Sequence, residues 1–130
     1  MQLLLDTSVL IDVLRRARGR RSWLAEMVSS GHNLATSALN VAEVYAGMRA
    51  SEEAPTRTFL SELECYEITA GVAEAAGRLK NAWSKKGRTL TLADTLVAAV
   101  ALQKGCVLAT DNRKDFLMPG LRLYDLPEDS

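Results

Sequence analysis

Residues 2–14 read QLLLDTSVLIDVL, and the fold turns on how this stretch divides. Leu3, Leu4 and Leu5 make a short continuous apolar run, as expected of a strand buried on both faces. Asp6 ends the run, and Thr7 or Ser8 is placed to cap a helix over residues 7–17. A doubly covered strand feeding directly into a helix is the opening unit of a parallel α/β sheet.

The rest of the chain continues that alternation. Helices are expected over 21–31, 37–50, 54–64, 69–87 and 91–105, with Pro55 in a first turn and Gly31, Gly87 and Gly105 as stops. Short apolar strands are expected at 33–36, 65–68, 106–110 and 121–126, with a single turn over 113–116. Four or five strands alternating with helices predict a parallel sheet covered on both faces. The 130 residues read as one domain, with PEDS (127–130) as a solvated tail.

Composition excludes several classes. Sixteen basic residues balance sixteen acidic ones, so attraction to nucleic acid by bulk charge is not available and any basic footprint must be local. Cys65 and Cys106 lack metal-ligand spacing and read as free, buried thiols at strand starts, which suits a reducing cytosol. The N-terminus has no basic region or cleavage site of a signal peptide, and no apolar run reaches bilayer length, so a cytoplasmic protein is expected. The single histidine, His32, reads as a solvated loop residue.

Three acids stand alone in apolar surroundings. Asp6 is the only charged residue of the first eleven. Glu43 is the only one between Ser37 and Arg49, and Asp94 the only one between Arg88 and Lys104. A polar cluster, TDNRKDF (110–116), follows the fourth strand. Taken singly, the aspartates have structural readings: Asp6 as a helix cap, Asp94 as the acid of a T-x-x-D capping box after Thr91, Asp111 as a turn residue. Glu43 is mid-helix and too far from Ser37 to cap; it reads either as an exposed Glu on a narrow polar strip or as a buried carboxylate that demands a partner. Jointly the acids point elsewhere. Ligands of doubly wound sheets bind outside the carboxyl ends of the strands, where Asp6 and the 110–116 cluster fall, with Glu43 and Asp94 added from two helix N-terminal segments. Clustered carboxylates repel unless they share protons or a cation, and an all-oxygen set suits Mg²⁺ or Mn²⁺.

The stretches LLLDTSVLIDVL, NVAEVYAGM, LADTLVAAVALQKGCVLATDNRKDF and GLRLYDL, in this order across nearly the whole chain, resemble the PIN-domain ribonucleases, and among them the VapC toxins of toxin–antitoxin pairs. The resemblance implies a three-layer α/β/α, Rossmann-like fold with about five parallel strands. It further implies RNA hydrolysis with one or two Mg²⁺ or Mn²⁺ ions, and inhibition by a VapB-type antitoxin. The family's acids fall on Asp6, Glu43 and Asp94, as catalytic residues, with Asp6 and Asp94 as the main metal ligands. Ser8 matches a hydroxyl supporting the first acid. The fourth position follows Thr110 and is shared between Asn112, the aligned residue, and Asp111; Asp115 matches the family's DF pair. In this mechanism metal-bound water attacks the phosphodiester in line and leaves a 5′ phosphate.

RNA would be drawn to the acids by rim cations. Lys85, Lys86 and Arg88 precede the helix of Asp94, and Arg113 and Lys114 adjoin the fourth position. The run RRARGRR (15–21) is read evenly as RNA-contacting or as solvated helix-end charge. Tyr45 and Trp83 read as core more than as stacking platforms. The helices over 22–28 and 40–48 are expected to wall an antitoxin groove, and the apolar excess suggests a homodimer. Rival readings are a covalent aspartyl phosphatase, which needs an acid where Ser8 stands, a phospho-receiver, which needs an Asp that CYEIT lacks, and a PIN-fold module that binds RNA without cutting it.

Overall fold

The computed structural model describes residues 1–127; the expected tail beyond Pro127 lies outside the described residues. Five strands, β1 (Gln2–Leu5), β2 (Asn33–Ser37), β3 (Glu64–Tyr66), β4 (Val107–Ala109) and β5 (Arg122–Leu123), form one sheet in the order β3-β2-β1-β4-β5. Every pairing is parallel, with Leu4 opposite Ala35 on one side and Leu5 opposite Ala109 on the other. The chain builds outward from β1 to β3, then returns to the other side of β1, so the topological switch lies between β1 and β4.

Side-chain alternation along the central strands divides the core. Leu3 and Leu5 of β1 join Val107 and Ala109 of β4 in one apolar cluster, with Val9, Leu10, Trp23, Val44 and Leu60. That layer is built from α1 (Thr7–Leu14), α2 (Arg20–Ser29), α3 (Ala38–Gly47) and α4 (Glu53–Ser61). Leu4 and Leu108 face the opposite way, onto Val72, Ala76, Val97 and Val100 of α5 (Ala70–Lys85) and α6 (Leu92–Lys104). The three-layer arrangement follows from period-two strands whose both faces are apolar.

Several expected boundaries shift for local reasons. The first helix stops at Leu14 because Arg16 and Arg18 take left-handed backbone, each with φ 56°, and Gly19 continues it at 65°. α3 ends at Gly47, and a single 3₁₀ turn over Ala50–Glu52 leads into α4. β3 covers Glu64–Tyr66 rather than 65–68, and Cys65 within it is exposed at the sheet edge; only Cys106 is the buried thiol expected of both. His32 Nδ1 lies 3.0 Å from the N-terminal amine, away from the acids.

Gly105 closes α6 in left-handed backbone at φ 64°, and nothing lies within 4 Å of where a Cβ would sit. Gly105→Ala therefore meets a backbone cost alone, about 1 kcal/mol. Thermal unfolding should show a Tm lower by roughly 3–5 °C, and a far larger drop would contradict the open space around that position.

Candidate active site

Three helix beginnings meet above the carboxyl ends of β1 and β4. Asp6 extends β1, its N–H bonded to the Ala109 carbonyl at 3.0 Å, and caps α1 by accepting from the Thr7 N–H at 3.0 Å. Ser37 caps α3 by accepting from the Asn40 N–H at 3.3 Å, and Thr91 caps α6 by accepting from the Asp94 N–H at 3.1 Å. Asn40 and Glu43 stand one turn apart, on the same face of α3. The positive ends of the helices favour anionic groups here.

Asp6 is held by neutral donors. Thr110 Oγ1 donates to its Oδ2 at 2.7 Å, and Asn40 Nδ2 donates to its Oδ1 at 3.1 Å. The same Asn40 amide donates to Thr7 Oγ1 at 3.0 Å, and that hydroxyl donates to Glu43 Oε1 at 2.6 Å. Asn40 is fully buried, with its carbonyl bonded to Ser37 Oγ at 2.6 Å, so one side chain fixes Asp6 directly and Glu43 through Thr7. Among the described residues no lysine or arginine pairs with Asp6, Glu43 or Asp94.

Burial raises the Asp94 carboxyl above the ordinary aspartate range. Hydrogen bonding to Thr91 opposes this, and the charges on Asp6, Asp115 and Glu43 add to it. Three further carboxylates thus bear on Asp94 across the crevice.

Some expectations need correction. Glu43 is exposed, not buried, and its place in the crevice comes from the Thr7 hydroxyl. Ser8 does not support Asp6; its hydroxyl donates to Asp111 Oδ2 at 3.2 Å, and Thr7, Asn40 and Thr110 do the supporting. Asp111 is taken by arginines: Arg20 Nη2 donates to Oδ1 at 2.7 Å and Arg18 Nη1 lies 3.1 Å from Oδ2. Burial pushes its carboxyl up, but the Arg20 hydrogen bond and the charges of Arg20 and Arg18 outweigh that and hold it below the ordinary range. Asp111 is therefore a cation partner rather than a free ligand. Asn112 Nδ2 donates to Asp115 Oδ2 at 2.7 Å, so Asn112 orients the acid that faces Asp94.

The basic residues divide too. Arg88 pairs with Asp115 at 3.5 Å and donates to the Lys114 carbonyl, and with Lys86 it lies over the Trp83 ring, at 5.9 and 5.3 Å. Lys85 instead shares the outer face of α5 with Glu74, Arg78 and Asn81. Arg113 Nη1 donates to the Tyr124 carbonyl at 3.0 Å, on the β5 side. Much of the arginine run is turned inward or paired: Arg20 is 1 % exposed, Arg15 pairs with Glu52, and Arg21 donates to the Val13 carbonyl.

The donor set is oxygen throughout, anionic and without an internal counter-cation, which fits a hard divalent ion. No group of three acidic, His or Cys side chains among the described residues is arranged to hold an ion in common. Asp6 and Asp94 alone would serve Mg²⁺, which binds through one or two carboxylates, keeps several waters and takes substrate phosphate oxygens.

Comparison with known proteins agrees with this geometry. The family model of the PIN domain matches residues 3–117. Ribonuclease VapC19 of Mycobacterium tuberculosis is 33% identical over 115 residues, which cover 88% of this chain and 92% of that protein. The fold superimposes on VapBC2 from Rickettsia felis, bound to a DNA fragment of its promoter, with a TM-score of 0.83 at 24% identity, over 95% of this chain and 98% of that one. A toxin–antitoxin complex from Klebsiella pneumoniae gives 0.77 at 28% identity, over 95% and 99%. An acid crevice on this sheet, matched in sequence over most of its length, identifies the chain as a member of the PIN-domain family and, within it, of the VapC ribonucleases.

Proposed function

We propose that the crevice of Asp6, Glu43 and Asp94 is the active site of a divalent-metal-dependent endoribonuclease, the toxin of a VapBC-type pair. The observation that carries this is the meeting of Asp6, Glu43 and Asp94 above the carboxyl ends of β1 and β4, held by hydroxyl and amide donors, with no lysine or arginine paired to any of the three among the described residues. Such an arrangement is costly in a purely structural role and natural in a cation site.

Asp6 and Asp94 would hold the ion, directly or through water, with Asp115 as the fourth acid in place of Asp111. A divalent ion there supplies Lewis-acid polarisation of the phosphodiester and a bound water of lowered pKa. Asp6 is oriented by Asn40 and Thr110. Glu43, fixed by the Thr7 hydroxyl at the open side of the crevice, orients the attacking water. Lys86 and Arg88 on the α5–α6 loop supply rim charge for the RNA strand, whereas Lys85 is withdrawn from this role by its position on the outer face of α5.

An antitoxin has an apolar groove to enter, and its walls differ from those expected. Val13, Leu14, Leu24, Val28, Phe59 and Leu63 line a cleft between α1, α2 and α4, flanked by Arg21 and Glu62. α2 is a wall as expected, but α3 is not, because Val41, Val44 and Tyr45 pack into the core. An amphipathic helix laid in this cleft is the mode of inhibition we favour, with an arginine reaching the acids. An apolar strip of Leu79, Ala82, Ala99 and Leu102 on α5 and α6 supports a homodimer. No described helix is long and apolar enough to cross a membrane, and free thiols suit a cytoplasmic site of action.

Antitoxin-free protein should cut total cellular RNA into discrete fragments in Mn²⁺ or Mg²⁺, and lose this in EDTA. Asp6→Asn should slow cutting by on the order of a hundredfold or more. Intact RNA with folded wild-type protein would favour an RNA-binding module instead. Thr110→Val should reduce activity roughly 10–100-fold while Thr110→Ser retains it, since only the hydroxyl orients Asp6. Asp94 gives a stability test. Its raised pKa means that the folded chain binds the proton more tightly than the unfolded one. Metal-free stability therefore falls as pH rises from the unfolded pKa through the folded one. Above that window Asp94→Asn in EDTA should melt at a higher Tm than wild type while being inactive; a lower Tm at every pH would contradict the cost of burying the Asp94 charge.

A further inference from the structure

A second polar cleft, of about 230 Å³, opens beside the acid crevice and is lined by Arg18, Arg20, Thr110, Asp111, Arg113 and Asp125 among others. Its charge is opposite in sense to the crevice, with three guanidinium groups facing two carboxylates. Arg20 begins α2 and is 1 % exposed, yet only its Nη2 has a partner, Asp111 Oδ1; Nε and Nη1 have none among the described residues. Buried donors are nearly always satisfied, and a buried guanidinium with unmet N–H groups is a costly element to maintain without a ligand. Arg113 is steadied by the Tyr124 carbonyl, and Arg18 by Asp111 and Asp12, at 3.1 and 3.5 Å.

Thr110 joins the two sites. It lines the arginine cleft, and its hydroxyl holds Asp6 at 2.7 Å. We infer that the cleft of Arg18, Arg20 and Arg113 is a phosphate subsite, which takes a backbone phosphate of the RNA strand near the bond being cut. This rests on the ribonuclease reading above. A planar guanidinium fork pairs bidentately with a phosphate as it does with a carboxylate, and the backbone phosphate is the anion that an RNA strand presents. Asp111 occupies part of the fork in the free protein, so it competes with the incoming phosphate and keeps the arginines from pairing with Asp6. A strand lying across Thr110 places one phosphate on the acids and another on the arginines, which fixes the register of the scissile bond.

The test uses the full chain in EDTA, with arginine Nε–H resonances followed by NMR as inorganic phosphate is added. The Arg20 signal is assigned by its loss in Arg20→Lys. A saturable shift of that signal is expected, weakened about tenfold in Arg113→Gln, the effect of one charged contact. Asp111→Asn, which removes the competing carboxylate, should bind phosphate more tightly than wild type, an effect that misfolding cannot produce. In Mn²⁺, Arg18→Gln and Arg113→Gln, both at exposed positions, should raise KM for bulk cellular RNA about tenfold with kcat within about twofold. An Arg20 signal unmoved by phosphate overturns the subsite, as does RNA cleavage by both arginine variants with wild-type KM. Failure of the wild-type protein to cut any RNA counts instead against the ribonuclease reading.

Discussion

Like charges in one crevice repel, and at the carboxyl ends of β1 and β4 the charges of Asp6, Asp115 and Glu43 all add to the burial that raises the Asp94 carboxyl. Asp6, Glu43, Asp94 and Asp115 come from four separate parts of the chain and converge on one crevice. Their helices bring positive N-terminal ends, and the side chains that touch Asp6 are amides and hydroxyls rather than cations. A lysine or arginine in the place of Asn40 or Thr110 would relieve the repulsion and fill the cation's position. Neutral donors hold the geometry and leave the charge unspent.

That constraint explains where the cations went. The arginines after α1 are not paired with the central acids: Arg18 and Arg20 meet Asp111, which stands one residue beyond the strand-ending Thr110. Asp111 separates a positive cleft from a negative crevice across one peptide unit. On the opposite rim Arg88 is occupied by Asp115 and the Lys114 carbonyl, which ties the loop before α6 to the turn after β4.

The sheet was legible because its signal is strong and local. Leu3–Leu5 and Val107–Ala109 are apolar on both faces, as only a covered parallel strand requires, and the acids stood out against that background. Legibility ended where side chains act at a distance. Asn40 carried a usable sign, a polar residue one turn before Glu43 on the same face, but its link through Thr7 depends on a crossing of α1 and α3 that no spacing encodes. Arg20 carried none: within RRARGRR nothing distinguishes the one arginine that is buried. Its burial follows from the left-handed backbone at Arg16, Arg18 and Gly19, which re-aims the start of α2. The choice between Asp111 and Asn112 was open in sequence for a related reason, since the direction of each side chain past Thr110 is set by partners elsewhere in the chain.

The pairing of β1 with β4 has a consequence for the order of events during synthesis. Leu3–Leu5 find their neighbours Val107–Ala109 about a hundred residues later, and the acids are contributed at positions 6, 43, 94 and 115. Contacts so distant in sequence form late. A growing chain on the ribosome therefore has no assembled crevice until nearly all of its elements have emerged. For an enzyme that cuts RNA, this topology postpones activity until β4 and the turn that carries Asp115 have emerged.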